Sequence, residues 1–122
     1  MAETPIPATP DLPLTYLVFF DWDKSDITPE AMSILQTAAA NAGEMKIVRL
    51  VLTGHADTSG AQDYNMALSK RRADAVSATL GGLGINQGEI SVLAKGETEP
   101  LVATGDGVRE PQNRRVEIVL MP

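Results

Sequence analysis

Asp57 and Arg72 are the two residues whose type and spacing most directly suggest chemistry. On one helical segment Leu68, Val76 and Leu80 fall at i, i+8 and i+12, and Arg72 takes the missing i+4 place. An arginine there sits at the edge of a buried face. It cannot shed its charge, so a partly buried one needs an anion. A snorkelling arginine, stem on the core and head in water, fits the same spacing. The candidate anion is Asp57, in the loop Gly54–Gly60 (GHADTSG) that precedes the helix. Loops after strands are where open α/β sheets place ligands. By itself an aspartate among Gly, Ser and Thr also reads as a turn residue. Together Asp57 and Arg72 offer a negative and a positive group near one cleft, which suits a zwitterion.

His55 is the only histidine. A hydrolase would pair it with Asp57 and with Ser59 or Ser69 as nucleophile. No strand-to-helix G-x-S-x-G elbow carries either serine. A metal site built on His55 and Asp57 has two ligands where three are expected. A hydrogen-bonded structural histidine is the bland alternative. The run Gly81-Gly82-Leu83-Gly84 follows a helix, so it is a C-cap and not a phosphate loop.

These residues must be positioned by the elements around them. Leu14 to Phe20 (LTYLVFF) reads as a buried strand. Thr28-Pro29-Glu30 opens a helix, with Thr28 as N-cap and Pro29 at N1. Its apolar stripe is Ala31, Ile34, Leu35, Ala38 and Ala42, and Gly43 stops it. Ile47 to Thr53 reads as a central strand. Ser59 and Gln62 have capping-box spacing, so a second helix starts there and runs to about Leu80. Glu89 to Lys95 and Arg114 to Leu120 alternate as strands, the latter with Val116, Ile118 and Leu120 inward and Arg115, Glu117 and Val119 outward. A long loop over 96–112 separates them. The order β-α-β-α-β-β predicts an α/β (α+β) two-layer sandwich, a mixed four-stranded sheet with two helices on one face.

The chain has 122 residues, the size of one domain. Residues 1–13 hold four of the eight prolines and read as a Pro-rich linker to a preceding segment, leaving 14–122 as the folded domain. Cysteine is absent, which removes disulfides, cysteine-ligated zinc and thiol nucleophiles. Ten basic against sixteen acidic residues give a net charge of -6, which disfavours nucleic acid and anionic membrane as general partners. No apolar run is long enough to span a membrane, and the first residues have no secretory signal pattern.

Three motifs then carry a resemblance. Gly54-His55-Ala56-Asp57-Thr58-Ser59-Gly60, followed by Tyr64-Asn65, Leu68-Ser69, Arg72-Ala73 and Val76, resembles the signature of OmpA-like C-terminal domains. Phe20-Asp21-Trp22-Asp23-Lys24-Ser25 is similar to that family's opening segment. Gln112-Asn113-Arg114-Arg115-Val116-Glu117 is similar to its closing strand. The resemblance covers about residues 15–120. It implies a non-enzymatic module that needs no cofactor or metal and binds peptidoglycan through the diaminopimelate of the stem peptide. By motif position the ligand residues are Asp57 and Arg72, with Asn65, Ser59 and Leu68 beside them. Asp21 and Asp23 join from the first loop, and Arg114 or Arg115 from the closing motif. Ala56 replaces the family's usual threonine and Trp22 an aromatic phenylalanine. The implied place is the periplasm. There an outer-membrane parent would be tied to the wall, with membrane contact only through a preceding segment and a weak homodimer left open. The rival readings are a small hydrolase using His55 and a protein-interaction domain whose ligand site has decayed.

Overall fold

The computed structural model describes residues 14–121. The proline-rich stretch 1–13 lies outside the described residues. Four strands and two helices follow the predicted order: β1 Thr15–Phe19, α1 Pro29–Glu44, β2 Arg49–Gly54, α2 Gln62–Gly82, β3 Ile90–Ala94 and β4 Arg115–Met121. The strands form one sheet in the order β1-β4-β2-β3. β4 is antiparallel to both β1 and β2, and β2 is parallel to β3. This is the mixed four-stranded, two-layer arrangement that the sequence predicts.

Alternation decides what is buried. Val116, Ile118 and Leu120 of β4 are buried, as are Leu50 and Leu52 of β2 and Val18 of β1. They meet Ala31, Leu35 and Ala42 from α1 and Val76 and Leu80 from α2. Thr28 caps α1 as its side chain predicts: Ala31 N–H donates to Thr28 Oγ1 at 3.1 Å. Gly43 does not end that helix, which continues to Glu44. α2 runs past the expected end at Leu80 through Gly81 and Gly82 to its cap, Leu83, and Gly84 at φ +102° lets the chain leave it. Glycine is required at 54 for a different reason. A Cβ there would lie 1.9 Å from the Ser69 carbonyl oxygen, so β2 and α2 touch backbone to backbone at the start of the Asp57 loop.

β1 differs from the buried strand that its apolar run suggests. It is an edge strand, with Phe19 40% exposed. Backbone groups of Leu14 and Phe20 bond to β4, so by alternation those of Tyr16 and Val18 do too. The N–H and C=O groups of Thr15, Leu17 and Phe19 point away from the sheet. The strand directions also set polarity. The chain leaves β1, β2 and β3, and enters β4, at one pole. It enters β1 and leaves β4 at the other, where Thr15 pairs with Val119.

Candidate functional site

The first pole holds a cleft of about 360 Å³. It is lined by Trp22 and Asp23 after β1, by Asp57, Ser59, Gly60 and Ala61 after β2, and by Tyr64, Asn65, Leu68 and Arg72 of α2. Six residues expected at a ligand site therefore come together: Asp23, Asp57, Ser59, Asn65, Leu68 and Arg72.

Arg72 is the largest fully buried side chain. It neither leans on Asp57 nor snorkels. Its Nε donates to the Lys24 carbonyl at 2.8 Å, Nη1 to the His55 carbonyl at 3.0 Å, and Nη2 to the Asp21 carbonyl at 3.1 Å. Its guanidinium carbon also stands 5.4 Å from the centroid of the buried Phe20 ring. Burial, reinforced by the Arg114 charge, pulls its pKa down to about 10, so it stays a cation at neutral pH. Guanidinium has five N–H donors, and three are spent here. The remaining two N–H groups belong to a charge that no carboxylate among the described residues approaches within salt-bridge distance.

Asp57 is equally buried, at 3% exposed, but its cation is Arg114, with Nη1 donating to Oδ2 at 3.3 Å. Glu110 N–H donates to the same oxygen at 3.2 Å. Ser59 supplies its N–H at 3.1 Å and its hydroxyl at 2.5 Å to Oδ1. Oδ1 is thus tightly held, and Oδ2 carries two long bonds. The Ser59 hydroxyl, spent on Asp57, is not the helix cap that the capping-box spacing suggests. Ala61 takes the N-cap position with no side-chain bond. Asn65 Nδ2 donates to Glu97 Oε1 at 3.0 Å, and among the described residues its Oδ1 accepts no hydrogen bond.

The rim is aromatic. Trp22 is 42% exposed and Tyr64 46%. Trp22 Nε1 donates to Ser59 Oγ at 2.9 Å, and Arg109 stacks on the indole at 3.5 Å. The Tyr64 hydroxyl donates to Asp23, which sits at φ +58°. Arg109 carries no periodicity signal, because it belongs to the long 96–112 loop. That loop is pinned over the site by Thr58, whose backbone carbonyl accepts from Gly107 and whose hydroxyl bonds Gly105 and Val108.

The other expected residues lie elsewhere. Asp21 reaches the cleft only through the carbonyl that holds Arg72, and its side chain lines a separate cleft. Arg114 stands between the two clefts, donating from Nε to the Phe20 carbonyl at 3.0 Å. Arg115 is on the sheet face away from the helices, as alternation requires. It is buried there rather than exposed, and Nη2 donates to the Glu99 carbonyl. It takes no part in the cleft.

His55 is buried beside Arg115, and neither ring nitrogen has a partner among the described residues. Desolvation, followed by the Arg115 charge, lowers its pKa from 6.5 to about 4. Ser59 is bonded to Asp57 and Trp22, and Ser69 to Met66 and Gly96. Neither serine bonds to His55 among the described residues, so the His55–serine pairing that a hydrolase would need is not formed.

Known proteins share this architecture. An outer membrane protein of Gluconacetobacter diazotrophicus is 47% identical over 112 residues, 87% of this chain and 30% of its own length. The peptidoglycan-associated lipoprotein of Haemophilus influenzae is 38% identical over 98 residues, 80% of this chain and 64% of its own. The chain thus spans less than two thirds of either relative. The crystal structure of the peptidoglycan-associated lipoprotein from Burkholderia pseudomallei superposes with a TM-score of 0.78 at 28% identity, covering 86% of this chain and 89% of that one. The family match itself runs over residues 19–114, from the end of β1 through both helices to Arg114, and so takes in every wall of the cleft; the chain belongs to the OmpA family.

Proposed function

We propose that this domain binds peptidoglycan, gripping the zwitterionic end of diaminopimelate in the stem peptide, and so anchors an outer-membrane parent to the wall from the periplasm. The observation that carries the reading is Arg72: a buried cation with two N–H groups left over among the described residues, lining a cleft that also contains carboxylate and amide oxygens. The ligand carboxylate takes those two donors as a fork. The ammonium on the same carbon faces Asp57 Oδ2, Asn65 Oδ1 and the Asp23 carboxylate. Trp22 and Tyr64 bracket the aliphatic part. The names of the two lipoprotein relatives, both peptidoglycan-associated, support the same partner.

The test is a pair of stem peptides, one with diaminopimelate and one with lysine at the third position. The lysine form keeps the ammonium and lacks the side-chain carboxylate, leaving Arg72 desolvated and unpaired, at a cost of about 1–3 kcal/mol. Calorimetry should show a preference of about five- to a hundredfold for the diaminopimelate form. Trp22, the only tryptophan, gives a second readout by fluorescence. Equal affinity for the two peptides refutes the assignment of the carboxylate to Arg72.

A further inference from the structure

A second cleft, of about 410 Å³, opens beside the first pole. Its floor is apolar: Phe19 and Phe20 at the end of β1, Ala31 and Ile34 of α1, and Pro111. Its charged lining residues are Asp21, Glu30 and Arg114. Arg114 is spent on Asp57 and on the Phe20 carbonyl, which leaves the two carboxylates to set the sign of the rim.

The cleft lies at the end of an open sheet edge. Among the described residues, the outward N–H and C=O groups of Thr15, Leu17 and Phe19 have no hydrogen-bond partner. Such an edge is a template for another strand, which would lie about 4.8 Å away and pair with these groups. Its side chains would alternate between the two faces of the sheet. Those on the face of Tyr16, Val18 and Phe20 turn toward α1, where the cleft opens. The opposite edge strand, β3, lines neither cleft.

We propose that β1 and this cleft form a docking site for an extended protein segment. The segment adds as a fifth strand, places one aliphatic side chain in the cleft and carries lysine or arginine beyond it. Charge selects the occupant. The rim carries two carboxylates, and a chain of net charge -6 repels a second copy of itself. The two clefts share no lining residue, and although Arg114 and Asp21 of this one bond Asp57 and Arg72 of the other, the variants used below leave both residues in place.

The probe is a peptide of sequence KKTVTLTVKK, with EETVTLTVEE as control, added to the nitrogen-15-labelled chain. The expected result is protection of the Thr15, Leu17 and Phe19 amides from hydrogen exchange by the lysine peptide, with shifts at Ala31 and Ile34. The glutamate peptide should bind at least about threefold more weakly. Glu30→Lys, on the exposed first turn of α1, should erase that preference and leave sacculus binding unchanged. Leu17→Pro removes an outward donor without breaking a β1–β4 bond and should abolish the protection. Equal binding of both peptides, or shifts confined to another face, overturns the proposal. So does protection of these amides in the free chain. If it rises with concentration, a second copy is the occupant; if it does not, residues 1–13 are.

Discussion

Replacing Arg72 with methionine should unfold the domain more readily than it should simply silence the cleft. Methionine keeps the stem and removes the three donors. The His55 carbonyl is then left in a buried position with no donor, at a cost of about 1–3 kcal/mol. The Lys24 and Asp21 carbonyls belong to exposed residues, so water can replace the guanidinium at about 0.5–1 kcal/mol each. Against this stands relief from burying a cation, the same desolvation that pulls the Arg72 pKa to about 10. The net expectation is a loss of about 1–4 kcal/mol, a sizeable part of the roughly 5–15 kcal/mol that holds a domain of this size. Thermal melts followed by circular dichroism should show Tm falling by roughly 5–25 °C. Arg72→Lys should fall less, because one ammonium can still satisfy one carbonyl. Sacculus binding should then be measured well below the variant's Tm, with the folded fraction checked, and should still be lost. A Tm shift under about 3 °C for Arg72→Met would refute the claim that these three bonds hold the first and second loops to α2.

Two further expectations rest on other residues. His55 has a folded-state pKa of about 4 against 6.5 unfolded, so the unfolded chain takes up its proton first as pH falls. Stability should drop progressively from about pH 6.5 to pH 4 and His55 should add nothing further below that; urea titrations of His55→Leu should lack this component, and an identical slope in both proteins would contradict it. Gly54→Ala would set a methyl 1.9 Å from a main-chain oxygen of α2; the variant should lose more than about 3 kcal/mol or fail to fold, and a wild-type denaturation midpoint would show that β2 and α2 can separate there at little cost.

The sequence made the scaffold legible wherever a local rule decides the outcome. Thr28 caps α1 because three residues suffice to specify the motif, and the alternation of Val116, Ile118 and Leu120 names the inward face of β4. Rules of that kind failed where a distant residue competes. Ser59 has the spacing of a helix cap, yet its hydroxyl goes to Asp57. The gap in the α2 stripe placed Arg72 at a buried edge but not its partners, which are main-chain oxygens 17, 48 and 51 residues away in sequence. Asp57 was expected to answer Arg72 and answers Arg114 instead, since the closing motif enters the same pole from the opposite strand direction. Apolar composition could not tell an edge strand from a central one, because strand order is a property of the whole sheet.

The polarity of the sheet has a mechanical consequence. A parent joined at either end of the domain pulls at the pole where β1 begins and β4 ends, while a ligand in the Arg72 cleft pulls at the other pole. The tension therefore runs parallel to the strands. Hydrogen bonds between antiparallel strands lie across that axis, so those joining β4 to β1 and to β2 are sheared together rather than peeled open one at a time. At the cleft, Arg72 divides the pull among α2 and the loops that follow β1 and β2. A domain loaded this way resists best along its own strands.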